Sequence, residues 1–366
     1  MKNILLVFGT RPEAIKMCPV LQALRRDPDR FRTAVCVTGQ HRRLLDGALS
    51  AFGVVPDYDL DLLREEQSLF HITRGVLDGL PPVLEKERPD LVLVHGDTTT
   101  AFAAALACYY TRIPVGHVEA GLRTYDPMAP WPEEFNRRAV DGVSRFCFAP
   151  TEVCRDNLLR EGIRPERIFV TGNTVIDALH TTVRRDFTHP ALDWAKDSRL
   201  LLVTVPRRES LGEPMRRIFR ALRRITEAHP EVKAVYPVHP NPAVRAIAEE
   251  ELAGCGRVRL IEPLDVPEFH NLLARSFLVL TDSGGIQEEA PALGVPALVA
   301  REATERPEGI GTGALRLTGT GEAEIFAACH ELLTDPAAYQ AMARAGSPYG
   351  DGSAARRIAD ILRDEL

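Results

Sequence analysis

The chain of 366 residues is longer than one typical domain and fits two domains of about 150–180 residues each. Its 45% hydrophobic and 26% charged residues are those of an ordinary globular protein, and the net charge of −6 does not favour nucleic-acid binding. No signal peptide follows Met1 and no stretch reaches the ~18 apolar residues that span a bilayer, so we expect a cytoplasmic protein without a membrane partner. The seven cysteines lack CxxC spacing, which predicts buried free thiols and no structural zinc site.

Strand-like apolar runs alternate with helical segments, which is typical of βαβ units and a parallel sheet. We therefore predict an α/β fold with two Rossmann-like doubly wound domains and a cleft between them. One helix, at 67–80, is expected to be interrupted or kinked by Pro81 and Pro82. The predicted parts are an N-terminal domain at 1–172, a linker or hinge at 173–197, a C-terminal domain at 198–350 and a helix at 351–366 that crosses back to the first domain. The predicted strands are 3–9, 33–39, 58–62, 91–95, 114–118, 145–150, 168–172, 200–205, 234–238, 258–261, 277–282 and 296–300.

Acidic residues follow two successive buried strands and a nearby loop. Asp97 comes after the run at 91–95, Glu119 ends the run at 114–118, and a loop rich in Pro and Trp leads to Glu133. Ligands of an open parallel sheet bind outside the carboxyl ends of its strands. These acids are therefore expected at a binding edge of the first domain.

The turn after the first predicted strand carries no nucleotide-binding glycine motif. Neither GxGxxG nor GxxxxGK[ST] occurs there, which argues against NAD and ATP. Arg11 at this turn and Lys16 on the following helix are candidate partners for an anion, and Pro12 suits the first turn of that helix. For either cation alone, a solvent-facing position is the simpler interpretation.

In the second half, a glycine-rich turn offers a seat for phosphate. Ser283, Gly284 and Gly285 follow a predicted strand and begin a helix, whose free N–H groups bind anions. Glu289, further along this helix, is a candidate partner for a ribose diol; the alternative is an ordinary helix N-cap with glycines for tight packing. Two further loops at strand ends carry charged or titratable groups, His239 in one and Arg306 with Glu308 in the other.

Taken together, these motifs resemble the non-hydrolysing UDP-N-acetylglucosamine 2-epimerases, which have the GT-B fold. The resemblance runs essentially from end to end and includes FGTRPEAIKM, TGQHRRLLD, LVHGDTTT, IPVGHVEAGLRT, PWPEEFNR, FVTGNTVIDAL, YPVHPNP, LTDSGGIQEEAPALGVP, TERPEG and SPYGDG.

The resemblance implies an isomerase that interconverts UDP-GlcNAc and UDP-ManNAc, for cell-surface polysaccharide biosynthesis, without metal or nicotinamide. The implied route is anti elimination of UDP to 2-acetamidoglucal, followed by re-addition with the opposite configuration at C2. A homodimer is also implied, with a UDP-sugar as its ligand. The implied acid/base or substrate-orienting carboxylates are Asp97, Glu119 and Glu133, and the implied nucleotide contacts are Arg11, Lys16, His239, Ser283, Gly284, Gly285, Glu289 and Arg306.

The chain departs from the family at one position that is considered functional. Where the family reads T-x-H-R-R-E, this sequence has Pro206 in place of the histidine, while Arg207 and Glu209 are retained as further candidates. Proline has no proton to give and no N–H to donate. The alternatives are therefore a 2-epimerase of a modified UDP-sugar, such as a diacetamido uronic acid, and a UDP-sugar binding protein without catalysis; a GT-B glycosyltransferase ranks last.

A second departure concerns activation by a second substrate molecule, which some relatives show. Gln40 and His41 match the residues of that second site, whereas Arg43 and Glu66 differ from the residues expected there. The resemblance therefore does not imply that the substrate activates this enzyme.

Overall fold

The computed structural model describes residues 1–39, 42–64, 68–205, 211–304 and 306–366, without the side chains of 42 and 43. These residues form two compact units. The first unit comprises Met1–Thr181 together with Tyr349–Leu366, and the second comprises Thr182–Pro348. Among the residues described, no helix is both long and apolar enough to cross a membrane.

Strands and helices alternate along both units, as the apolar periodicity predicts. The strands are β1 (Lys2–Phe8), β2 (Phe31–Val37), β3 (Tyr58–Asp59), β4 (Leu91–His95), β5 (Val115–Val118), β6 (Phe146–Ala149), β7 (Ile168–Val170), β8 (Arg199–Thr204), β9 (Val232–Pro237), β10 (Val258–Ile261), β11 (Leu278–Thr281), β12 (Ala297–Val299) and β13 (Leu315–Leu317). The helices are α1 (Arg11–Arg25), α2 (Arg42–Ala51), α3 (Leu69–Glu87), α4 (Thr99–Thr111), α5 (Glu133–Val143), α6 (Glu152–Arg160), α7 (Thr174–Thr182), α8 (Pro190–Ala195), α9 (Glu213–Ala228), α10 (Pro242–Glu251), α11 (Val266–Ala274), α12 (Ile286–Ala292), α13 (Pro307–Gly311), α14 (Glu322–Thr334), α15 (Pro336–Ala343) and α16 (Ala354–Glu365).

The first sheet is parallel and has the order β3-β2-β1-β4-β5-β6-β7. Its central strand β1 is buried on both faces, with Leu5 and Val7 packing against the cluster formed by α3 and α4. Strand order reverses between β1 and β4, so the loops that follow these two strands flank the crevice where a doubly wound sheet binds its ligand.

The second sheet repeats this arrangement in the order β10-β9-β8-β11-β12-β13, and it is also parallel. Leu201 and Val203 of β8 pack on one face with residues of α9 and α14, whereas Leu200 and Leu202 pack on the other with residues of α11 and α12. The strand order reverses between β8 and β11. The predicted α/β class, with two Rossmann-like doubly wound sheets, is therefore confirmed.

Two details differ from the sequence-based predictions. The expected interruption of the helix at Pro81 and Pro82 is wrong, because α3 continues to Glu87 and buries Val83 and Leu84 beyond the prolines. Packing of an apolar face therefore outweighs the missing backbone N–H groups. Strand β13 was not predicted, since it has only three residues at the edge of its sheet.

The seven cysteines are free, and all are buried except the half-buried Cys255.

The segment predicted as a linker, 173–197, contains α7 and α8, and the boundary between the two units falls between Thr181 and Thr182. The final helix α16 lies in the first unit, where it packs against α1. The carboxylate of Asp177 on α7 accepts the backbone N–H groups of Ala354 and Ala355, at 3.1 and 2.9 Å, at the beginning of α16. The last helix is thus fastened at its N-terminus, where a negative charge is favourable.

Candidate functional site

In the first unit, the loops after β1 and β4 are joined by Glu13, a residue that the sequence did not single out. Its carboxylate accepts the backbone N–H groups of Gly9 and Thr10, at 3.1 and 2.8 Å, and the hydroxyl of Thr98 at 2.8 Å. Burial raises the pKa of Glu13, although these hydrogen bonds and the neighbouring His95 act in the opposite direction. Glu13 therefore links the loop after β1 to the loop after β4, on the two sides of the crevice.

Glu119 is the centre of a buried polar cluster at the end of β5. Its Oε1 lies 2.6 Å from Nζ of Lys16 and 3.1 Å from Nδ2 of Asn173, and its Oε2 lies 2.8 Å from Nε2 of His95. The His95 contact is close but poorly aligned for a hydrogen bond. Glu119 also has φ +68°, a left-handed conformation unusual for a residue with a side chain. Lys16 is therefore buried against an acid, and its solvent-facing alternative is excluded.

Asp97 follows β4 and is bound to helix α5. Its carboxylate accepts a hydrogen bond from the guanidinium of Arg137, and its backbone carbonyl accepts one from Nδ2 of Asn136 at 2.9 Å. Glu133 is the first residue of α5, so it lies one helical turn before Arg137 and on the same face. Asp97 and Glu133 are thereby brought to the same side of α5.

The two adjacent acids of the PWPEEF segment have different surroundings. Glu134 is fully buried, accepts the backbone N–H groups of Thr124 and Tyr125 at 3.0 Å each, and lies 3.4 Å from Nη1 of Arg137. Glu133 is half-buried, and no residue in the described part of the chain donates a hydrogen bond to its carboxylate. Glu134 thus shapes the preceding loop, and Glu133 remains the candidate for chemistry.

Beneath these acids lies a charged network that sequence reasoning missed. The ring of His117 has Nδ1 at 2.6 Å from Oδ1 of Asp141 and Nε2 at 2.7 Å from the carbonyl oxygen of Gly96. Arg123 Nη2 donates to Asp141 at 2.8 Å and to Glu161 at 2.7 Å. Burial alone would raise the pKa of Asp141, but the charges and hydrogen bonds of His117 and Arg123 lower it. The only sequence signal was a histidine within an otherwise apolar strand.

In the second unit, the predicted phosphate turn lies after β11, beside the point where strand order reverses. The helix α12 begins at Ile286, three residues later than predicted, with Gly285 and not Ser283 at its N-cap. The backbone N–H of Ser283 donates to Oγ1 of Thr281 at 3.0 Å. A Cβ placed on Gly285 would lie 3.4 Å from Oε1 of Glu289, so the buried Glu289 side chain folds back towards the start of its own helix.

The loop that contains Arg306 is fastened to α12 by two short hydrogen bonds. Nε of Arg306 donates to Oε1 of Glu288 at 2.6 Å, and both side chains are buried. Oγ1 of Thr304 donates to Oε1 of Gln287, also at 2.6 Å. The guanidinium of Arg306 is therefore fixed in orientation by the helix that follows the phosphate turn.

The remaining predicted residues are placed less deeply or lie outside the described residues. Arg11 is the first residue of α1 and is half-buried, whereas His239 is exposed after β9, where its Nδ1 accepts the backbone N–H of Asn241 at 3.1 Å. Within the described ranges, no group of three or more His, Cys, Asp or Glu side chains is arranged to hold a metal ion. Outside the described residues lie Gln40, His41, Glu66, Pro206, Arg207, Arg208 and Glu209, together with the side chain of Arg43.

Comparisons with known proteins agree on one family. The family model described as UDP-N-acetylglucosamine 2-epimerase matches residues 22–363. A UDP-N-acetylglucosamine 2-epimerase of Bacillus subtilis is 51% identical over 98% of this chain and 94% of the relative. The UDP-GlcNAc 2-epimerase of Neisseria meningitidis bound to UDP-GlcNAc has a TM-score of 0.92 at 43% identity, covering 99% of this chain and 100% of that one. The S. aureus MnaA–UDP co-structure has a TM-score of 0.93 at 46% identity, covering 100% and 96%. With this coverage and identity, the chain belongs to the UDP-N-acetylglucosamine 2-epimerase family.

Proposed function

We propose that this protein interconverts UDP-GlcNAc and UDP-ManNAc by inverting C2 of the sugar. The observation that carries the proposal is the identity of about half the residues with a UDP-N-acetylglucosamine 2-epimerase over nearly the whole of both chains. The Neisseria meningitidis relative, which is similar over the full chain, was crystallised with UDP-GlcNAc. A cluster of three acids with adjacent cations at one sheet edge suits a reaction that moves a proton and expels an anion.

The proposed chemistry avoids direct deprotonation of an unactivated C2. A base removes the C2 proton while the bond from C1 to the UDP oxygen breaks, and the electron pair of the C2–H bond becomes the C1–C2 double bond of 2-acetamidoglucal. UDP leaves with the C1–O bonding pair. In the return step, UDP attacks C1 and an acid delivers a proton to the opposite face of C2, so atoms and charge balance without an oxidant.

The surroundings of the three acids support a division of roles. Glu119 faces Lys16 and Asp97 faces Arg137, so each of these two carboxylates has a cationic partner within the unit. Among the residues that the structure describes, none donates to the carboxylate of Glu133. We therefore assign to Glu133 the proton transfer at one face of C2, and to Asp97 and Glu119 the orientation of the sugar, the balance of charge around it and the acid/base of the opposite face.

We assign the nucleotide to the edge of the second unit. The backbone N–H groups of Gly284 and Gly285 would meet the diphosphate, together with the hydroxyl of Ser283, whose own N–H is donated to Thr281, and Glu289 would meet the ribose. The nucleotide site would be completed by Arg306, which is oriented by its hydrogen bond to Glu288, and by His239. Arg11 and Lys16 remain the proposed cationic partners for a phosphate group at the edge of the first unit.

The experiment is proton NMR of UDP-GlcNAc with the enzyme in D2O. The expected result is the appearance of UDP-ManNAc with deuterium incorporated at C2, and a Glu133→Gln variant should lower the rate of incorporation. Binding of UDP without any exchange would instead support the catalytically inactive binding protein. Exchange restricted to a diacetamido uronic acid derivative would identify the modified-sugar epimerase.

A Pro206→His variant tests the family departure directly. If deuterium enters C2 in the variant but not in the native chain, the proline has removed the activity. Release of free ManNAc and UDP in equal amounts would contradict the non-hydrolysing reaction. The homodimer that the family implies is a separate proposal, tested by light scattering of the purified protein.

A further inference from the structure

We propose that His117 is a positioning residue for this reaction: a buried imidazolium that fixes the turn at Gly96 and Asp97 by donating a hydrogen bond from each ring nitrogen. The kinetic consequence of this inference rests on the proposed function, whereas the protonation state of His117 can be measured without any activity.

The argument begins with the two partners of the ring. Nδ1 lies 2.6 Å from a carboxylate oxygen of Asp141, and Nε2 lies 2.7 Å from the carbonyl oxygen of Gly96. The carbonyl of Gly96 can only accept, and Asp141 accepts as a carboxylate, the form favoured by the donors Arg123 and Gly121 on its other oxygen, so each ring nitrogen carries a hydrogen. A neutral imidazole has only one N–H, and its other nitrogen would face an acceptor lone pair at this short distance. The side chain is fully buried, so solvent does not supply a donor.

The charges around the ring balance it. Asp141 of α5 also accepts from Arg123, and Arg123 in turn pairs with Glu161, which the more exposed Arg138 approaches at 3.2 Å, so cations and anions alternate outwards from the ring. Burial acts to raise the pKa of Asp141, but the charge and hydrogen bond of Arg123 act to lower it and favour an ionised carboxylate beside the ring. A buried charge left without its partner here would cost far more free energy than burying the paired network.

The functional consequence follows from what the ring holds. Gly96 has φ +62°, the left-handed conformation that favours glycine, and its carbonyl is fixed by His117. The next residue, Asp97, is one of the three proposed acids. A Cβ placed on Gly96 would lie 3.6 Å from Oε2 of Glu119, so a second proposed acid passes directly over the same turn. Movement of this turn would therefore displace two acids together.

Two substitutions separate positioning from plain stabilisation. The amide nitrogen of asparagine occupies nearly the place of Nδ1 of a histidine, and that of glutamine nearly the place of Nε2. His117→Asn should therefore keep the bond to Asp141 and release the turn, whereas His117→Gln should keep the bond to Gly96 and release Asp141. Both remove one buried hydrogen bond and one positive charge, so they form a matched pair.

We expect kcat of His117→Asn to fall by roughly 100-fold, the cost of a misplacement of about 1 Å, with KM within about threefold of the native value. His117→Gln should retain at least about ten times more kcat than His117→Asn, although the two variants should have similar melting temperatures. His229→Asn, at a buried histidine of the second unit paired with His330, serves as the control and should leave kcat unchanged. Equal losses of kcat in the two His117 variants, or losses that follow melting temperature, would overturn the positioning role.

The protonation state is tested on the native protein labelled with 15N-histidine. At pH 8, at least one histidine should show hydrogens on both ring nitrogens, and this signal should disappear in His117→Gln. If every histidine has one unprotonated nitrogen, the imidazolium is disproved, even if neither variant folds. Failure of the proposed function would leave this spectrum unchanged and would appear only as the absence of deuterium incorporation in the native enzyme.

Discussion

Replacing Lys16 by methionine tests whether Glu119 depends on a buried counter-charge. The substitution keeps a long apolar stem but removes the ammonium that lies 2.6 Å from the carboxylate, in a pair whose side chains are only 9% and 6% exposed. Removing one partner of such a pair costs about 3–5 kcal/mol, because the remaining charge stays buried. His95 and Asn173 still contact Glu119, so we expect the lower end of this range, about 3 kcal/mol.

The measurement is thermal and urea unfolding followed by a probe in the first unit. A loss of about 3 kcal/mol should lower the melting temperature by roughly 6–12 °C for a unit of this size. Lys2→Met is the matched control, because Lys2 lies 3.7 Å from Asp90 in a pair with exposed side chains. That substitution should cost less than about 1 kcal/mol.

The double variant Lys16→Met with Glu119→Gln gives the decisive comparison. Removing the second charge should recover about 2 kcal/mol of the lost stability, because the buried carboxylate that has lost its ammonium is then neutral. Activity should not recover, since the proposed function needs the Glu119 carboxylate. If the double variant is no more stable than Lys16→Met, or if Lys16→Met costs no more than Lys2→Met, the reasoning from buried charge is refuted.

Three further predictions concern other features. A thiol reagent at pH 8 should label at most the half-buried Cys255 in the native protein and all seven cysteines after denaturation, because the other six thiols are buried. Burial also raises the pKa of Cys147 and Cys255, and it raises the pKa of Cys18, Cys36, Cys108 and Cys329 to about 12. Rapid native labelling of several thiols would contradict the burial. Asp141→Asn should lower the free energy of unfolding at neutral pH. The difference in unfolding free energy from the native protein should shrink as the pH falls below 3.8, the ordinary pKa of Asp, because a carboxylate with a lowered folded-state pKa contributes stability only while it is ionised. A difference that stays constant down to pH 3 in urea titrations would contradict this. Arg306→Met should lose about 3–5 kcal/mol, because it removes the guanidinium 2.6 Å from the buried carboxylate of Glu288. Arg306→Met with Glu288→Gln should regain part of that loss in the same urea assay.

The sheet and its binding edges were predictable from the chain because they depend on periodicity. Apolar runs of four to seven residues mark the buried strands, and parallel strands necessarily bring their carboxyl ends to one edge. Asp97 and Glu119 could therefore be expected close together before any coordinates were known, and the structure brings both to the same turn. Arg306 was found by the same reasoning, although its buried bond to Glu288 was not expected.

The residues that escaped prediction are those whose partners lie far away in the sequence. Asp141 is 24 residues from His117, and Thr98 is 85 residues from Glu13. A local pattern shows that a histidine interrupts an apolar strand, but not which acid will meet it. The roles of the adjacent Glu133 and Glu134 were ambiguous for a similar reason. Only the fold shows that Glu134 is buried and accepts the backbone N–H groups of Thr124 and Tyr125.

The docking of α16 has a consequence for how this chain is made. The carboxylate of Asp177 accepts the backbone N–H of Ala355, 178 residues further along the chain. Arg30 donates to the backbone carbonyl of Arg363 in α16, 333 residues away. On the ribosome, the first unit emerges with one side of α1 still uncovered, and it stays so while the whole second unit is synthesised. Its final consolidation must therefore follow the synthesis of the second unit, and a fragment ending at residue 181 would leave this apolar surface open to aggregation.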